Sequence, residues 1–153
     1  MATFEDIAEG FQLVDQDTRL DLLLDYADKL PPLPTAYESL RDAGMNMVHE
    51  CQSPVFLRAE VRTAEEGQER VRMIAHVPRK APTARAFVAI LHESFDGVAP
   101  EVVTAATDQP FRELGLTALL GPQRTHGLSA VYQQCKKAVA ERAYAPLSSE
   151  DDA

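Results

Sequence analysis

The sequence predicts an α+β domain: a small three-stranded antiparallel sheet with helices packed on one side. Two neighbouring runs, 55–63 and 69–77, alternate apolar and polar residues with period two across a glycine-bearing turn. The segments before and after them instead repeat apolar residues three and four apart, the spacing of one helix face. Helices, then a meander, then helices is the order of a domain whose helices gather on one face of a sheet.

Taken in order, Thr3 caps a first helix with Glu5 and Asp6 in its opening turn, and Phe4, Ile7, Ala8 and Phe11 along its apolar face. Asp15-Gln16-Asp17 interrupts the pattern. Asp17 is the expected cap of a second helix, with Leu20, Leu23, Leu24, Ala27 and Leu30 as its stripe. Pro31, Pro32 and Pro34 stop that helix at Leu30, so the chain from Pro31 to about Gly44 is expected to be extended or irregular. Asn46–Val48 supplies a short third strand. In 55–63, Val55, Leu57, Ala59 and Val61 face inward, and Arg58, Glu60 and Arg62 form a wet face. Ala64 to Gln68 is the hairpin turn. Val71, Met73, Ala75 and Val77 repeat the inward pattern in the next strand. Helices are then expected over 83–94, 99–106 and 110–114, with Pro100 at a helix start. Gly121-Pro122 marks a tight turn, and 125–142 a long final helix carrying Leu128, Val131, Tyr132, Cys135 and Val139. Residues 1–144 read as one domain, and 145–153 as an acidic, disordered tail.

Composition narrows the function. The 153 residues suit one domain, and 45% apolar with 25% charged residues argues for a folded globular chain. A net charge of −9, from 24 acids against 15 bases, disfavours nucleic acid and anionic membranes as partners. No apolar run reaches bilayer length, and MATFEDIAEG lacks the basic and apolar regions of a secretory signal. A cytoplasmic location is the expectation.

Cys51 and Cys135 are the two cysteines, too few for a disulfide framework. Cys135 lies on the apolar stripe of the last helix and reads as a buried filler. Cys51 sits in a loop flanked by His49, Glu50, Gln52 and Ser53, poor surroundings for a buried thiol and good ones for a reactive one. A protonated His49 would favour its thiolate, and Glu50 would oppose it. Four histidines and two cysteines, without Cys-x-x-Cys or His-x-x-x-His, make a weak ligand set for zinc or an iron–sulfur cluster. A cysteine hydrolase would need His49 or His126 beside Cys51 and an oxyanion hole, and no signature supports one. The seven glycines form no phosphate loop. Arg124, in a loop entering the last helix, is either a solvated charge or a bidentate partner for a carboxylate.

Together these pieces resemble the SufE family. The motif is Asn46, Val48, Cys51, Ser53, Val55 and Phe56, with Leu30-Pro31, Phe95-Asp96, Pro100 and Leu120-x-Pro122-x-Arg124-x-x-Gly127-Leu128 at matching places. The likeness covers residues 4–142. Glu50 stands where the family usually has Gly, Phe56 where it usually has Trp, and Lys80 aligns with an acidic position.

The resemblance implies a SufE-like fold and a sulfur acceptor for iron–sulfur cluster assembly. Cys51 would take persulfide sulfur from a PLP-dependent cysteine desulfurase, stimulate that enzyme, and pass the sulfur to a downstream scaffold. It implies partner-binding roles for Arg124, Gln52 and Ser53, an accessory role in place of stand-alone catalysis, and no cofactor on this chain, the PLP being the partner's. A cluster scaffold and a non-catalytic interaction domain are the competing expectations.

Overall fold

The computed structural model of the protein describes residues 3–50 and 53–146. Helix α1 (Phe4–Gln12) starts as the sequence predicts. The Thr3 hydroxyl accepts the Asp6 N–H, and the Asp6 carboxylate accepts the Thr3 N–H, so two otherwise unpaired donors are satisfied reciprocally. The helix buries Phe4, Ile7, Ala8 and Phe11.

Helix α2 (Gln16–Ala27) is capped by Asp15, two residues before the expected Asp17. Asp15 has extended backbone, and its carboxylate accepts the Thr18 N–H at 2.8 Å. That bond holds the Asp15 carboxyl below its ordinary pKa. The buried stripe is accordingly Leu23, Tyr26, Ala27 and Leu30, while Leu20 and Leu24 are exposed. Tyr26 belongs to the stripe because Leu23, Tyr26, Ala27 and Leu30 keep the i, i+3, i+4, i+7 spacing.

The sheet has the order β1 (Met47–Val48), β2 (Val55–Thr63), β3 (Glu69–His76), antiparallel throughout. Val48 pairs with Val55, Phe56 with His76, and Thr63 with Glu69. Gly67 takes φ 83° in the hairpin turn, a left-handed angle that suits glycine. Helices α4 (Pro82–Phe95) and α7 (Thr117–Glu141) rest on the face formed by Val55, Leu57, Ala59, Val71, Met73 and Ala75. Helices α1 and α2 pack outside α4, and α5 (Pro100–Thr104) and α6 (Pro110–Leu114) close the end. The Phe87 ring stacks on Phe111 with centroids 4.7 Å apart.

The opposite face is not wet, and this corrects the sequence expectation. The segment after the prolines forms a 3-10 turn, Thr35–Tyr37, and a short helix α3 (Glu38–Asp42). It lies across the sheet, and Tyr37 packs on Phe56 and Ile74 in a second apolar cluster. Glu60 is thereby sealed at 0% exposure. The charge is held by Arg58 Nε at 2.7 Å, Arg62 Nη2 at 2.9 Å and the Tyr37 hydroxyl at 2.9 Å. The alternation correctly separates two faces, but a segment remote in sequence covers the polar one.

Candidate functional site

The site is built at the end of the sheet where β1 turns into β2. Val48 and Val55 are paired, so residues 49–54 form the connection between fixed ends. Its base is fastened. Asn46, at φ 58°, accepts the Leu57 N–H on its carbonyl at 3.1 Å, and its side-chain oxygen accepts Arg58 Nη1 at 3.3 Å. Gln134 of α7 donates to the Leu57 carbonyl at 3.3 Å. Asparagine is among the few residues that tolerate a left-handed backbone.

Cys51 and Gln52 lie outside the described residues. Ser53 is half-buried and lines a cleft of about 240 Å³. The other walls are residues 80–84, leading into α4, and Gln123, Arg124, Gly127 and Leu128 of α7. Ser53 and Arg124, far apart in sequence, thus share one cleft.

Local sequence explains both walls. Pro82 opens α4, where its missing N–H costs nothing and its fixed φ suits a helix. In α7 the helix breaks at Gly121 (φ 77°, ψ 166°) and resumes with Pro122. Arg124 therefore stands on the first turn of the resumed helix, and the expected start at Thr125 is three residues late. Gly121-Pro122 is the turn that its sequence predicts, and the proline also begins the helix. Residues that sequence reasoning did not assign to the site are Lys80, the first turn of α4, and Gln123. Their signal lies in the two basic residues standing beside proline-led helix starts.

A second cleft, of about 300 Å³, lies next to it and contains Arg41, His76, Arg79 and Arg85. Arg85 is buried and directs Nε to the Ala27 carbonyl at 2.8 Å and Nη1 to the Val77 carbonyl at 2.6 Å. This joins α4 to the end of α2 and to the end of the sheet. His76 is pushed below its ordinary pKa, first by burial and then by Arg41 and Arg85. Among the described residues no three His, Cys, Asp or Glu side chains lie close enough to hold a metal ion.

Cys135 is the filler its position predicts. It is fully buried against Met73, with Sγ 3.4 Å from Sδ, and burial pushes its thiol up to about 12. At pH 8 a thiol of that pKa is ionised in about one molecule in ten thousand. Native protein treated with an alkylating reagent is expected to leave Cys135 unmodified, and unfolded protein to modify it fully. Peptide mapping checks this, and rapid native labelling at Cys135 would contradict the sealed position.

Fold and site together define a small α+β domain that presents a short connection and a basic cleft at one end of a three-stranded sheet. The SufE family, described as an Fe-S metabolism associated domain, matches residues 5–139, and the chain belongs to that family. It is 34% identical over 140 residues to uncharacterized SufE-like proteins from two strains of Mycobacterium tuberculosis, covering 92% of this chain and 93% of each relative. The solution structure of a hypothetical protein from Thermus thermophilus is similar at 33% identity with a TM-score of 0.76, covering 92% of this chain and 95% of that one. The family places the protein in iron–sulfur metabolism. Among the described residues no helix is long and apolar enough to cross a membrane.

Proposed function

We propose that this protein is a sulfur acceptor in iron–sulfur cluster assembly. Cys51 takes the outer sulfur of a persulfide held by a PLP-dependent cysteine desulfurase, stimulates that enzyme, and passes the sulfur to a downstream scaffold in the cytoplasm. The Cys51 thiol loses its proton to solvent or a nearby base, and the thiolate attacks the outer sulfur. The donor's sulfur–sulfur bond breaks, its cysteine leaves as a thiolate and is reprotonated, and a persulfide forms on Cys51. The exchange is redox-neutral, so one thiol on the acceptor is enough.

The supporting observation is the cleft that brings Ser53 together with Arg124 and Lys80. Cys51 is two residues from Ser53, and two residues of chain span at most about 7 Å. A cation brought close to a thiol favours the thiolate, which is what the basic lining beside Ser53 would offer. The paired ends of the connection also leave a short segment that a partner can engage without disturbing the sheet.

The test is intact-mass analysis after incubation with an active desulfurase and cysteine. The protein is expected to gain the mass of sulfur at Cys51 and to raise desulfurase turnover. Cys51→Ser should lose both effects, and Cys135→Ser should lose neither if its core tolerates the change, as melting temperature reports. An active desulfurase that leaves Cys51 unmodified overturns the reading.

A further inference from the structure

We propose that the cleft between Lys80 and Arg124 is the socket for an acidic side chain of the sulfur-donating protein. This rests on the sulfur-acceptor reading and names the chemistry by which that partner is held.

The first argument is charge. The chain carries 24 acids against 15 bases, yet the cleft lining includes two cations and no acid among the described residues. Several other cations at the surface are answered by the protein's own carboxylates, whereas no other described cleft brings two unanswered cations together. Arg41 has Asp42 at 3.0 Å, Arg79 has Asp28 at 3.7 Å, Lys136 has Asp108 at 3.4 Å, and Arg142 has Glu69 at 2.7 Å. Lys80 and Arg124 are both exposed, and neither has a carboxylate partner among the described residues. The neighbouring cleft differs, because Glu38 lines it and Arg41 and Arg79 already have acids.

The helix starts reinforce the two side chains. Ala81 offers α4 no side-chain cap, and Gly121 has no side chain to cap the resumed part of α7. Both helices therefore bring the positive ends of their dipoles to walls that already carry a cation.

The second argument discriminates between carboxylates. A free amino acid carries an ammonium beside its carboxylate, and the described lining supplies no acid to receive it. An Asp or Glu side chain brings the carboxylate alone, and its methylenes can lie on Leu128 and Ala84. The cleft is open to solvent and shares Ser53 with the connection that must meet the partner, so a side chain from a docked protein reaches it directly. The remainder of the acidic surface repels a partner's other carboxylates. An acid seated between Lys80 and Arg124 meets two cations at once, which favours one register of docking.

The experiment measures the acceptor concentration that half-saturates sulfur transfer from the desulfurase for wild type, Lys80→Glu, Arg124→Glu and the double variant. Arg70→Glu, exposed at the hairpin end of the sheet, is the control. Each cleft reversal is expected to raise the half-saturating concentration about tenfold or more, and Arg70→Glu to leave it within about twofold. Wild-type affinity should weaken with added salt, and the double variant should lose most of that dependence. Unchanged melting temperatures confirm that the variants fold. Carbodiimide crosslinking to Lys80 identifies the partner's acid, and replacing that acid by lysine should restore pairing with the double variant.

The outcomes separate the two readings. Wild type that gains no sulfur overturns the acceptor function itself. Wild type that gains sulfur, with reversal variants as easily saturated as wild type, overturns the socket alone. Inorganic phosphate or free cysteine shifting the Thr83 and Gln123 amides at micromolar concentration, with partner affinity unaffected by the reversals, reassigns the cleft to a small anion.

Discussion

Replacing Glu60 by alanine is expected to destabilise the protein by about 3–5 kcal/mol, the cost of removing one partner from a buried ion network. Glu60 is completely buried and receives bonds from Arg58, Arg62 and the Tyr37 hydroxyl. Alanine leaves the Arg58 guanidinium facing a cavity with its charge unanswered on that side. Arg62, more exposed, recovers part of its hydration. A domain of this size has about 5–15 kcal/mol in total, so the variant should unfold at markedly lower denaturant. Arg58 also donates to the Asn46 side chain at the base of the 49–54 connection, so sulfur uptake should fall in protein that remains folded. Urea denaturation with matched transfer assays checks both effects. A midpoint near that of wild type would mean that the network contributes little and that the arginines find water.

Gly121→Ala is the second large expectation, with a loss of about 1–3 kcal/mol. The backbone there has φ 77° and ψ 166°, a region open to glycine and strained for every L residue. Beyond its chain neighbours and its own helix backbone, no atom lies within 4 Å of the place a methyl would take at this position, so the main effect is backbone strain. Pro122 keeps residue 121 out of the helical region, so the strain cannot be relieved by a continuous helix; it is relieved by a shift of the break, which moves Arg124 relative to Ser53. Weaker stability and poorer saturation with the desulfurase should therefore appear together. Gly10, inside α1, also has open space around it, and its backbone is not left-handed. Gly10→Ala should stabilise by roughly 0.5–1 kcal/mol, as helix propensity dictates. Equal behaviour of the two variants in thermal melts would contradict the role given to the break.

Much of this architecture is legible because it is local. Period two in 55–63 and 69–77 marks the strands, and the Thr3 and Pro100 signals mark helix starts within a residue or so. What sequence does not supply is cover from a distance. Glu60 alternates like a solvent-facing residue, and only Tyr37, carried across the sheet by the proline-led segment, makes it buried. Arg124 stands out in its loop, but Lys80 joins it through the packing of α4 beside α7, which no spacing encodes. The family motif points to Cys51 and Ser53 together, because their separation along the chain is short. The cap at Asp15 escapes sequence reasoning for a simpler reason. Asp15 and Asp17 are equally good cap residues, and the choice between them depends on which helix face meets Phe11 and the core.

Arg58 joins two parts of the chain that are distant in sequence. Its Nη2 donates to the Ala145 carbonyl at 2.9 Å and its guanidinium lies 4.6 Å from the Tyr144 ring, while Nη1 reaches Asn46. Tryptic cleavage after Arg142 would remove the first two partners and leave the third. A protein clipped there should keep its sheet and helices yet hold the Asn46 base of the 49–54 connection less firmly, so affinity handles for purification belong at the opposite terminus.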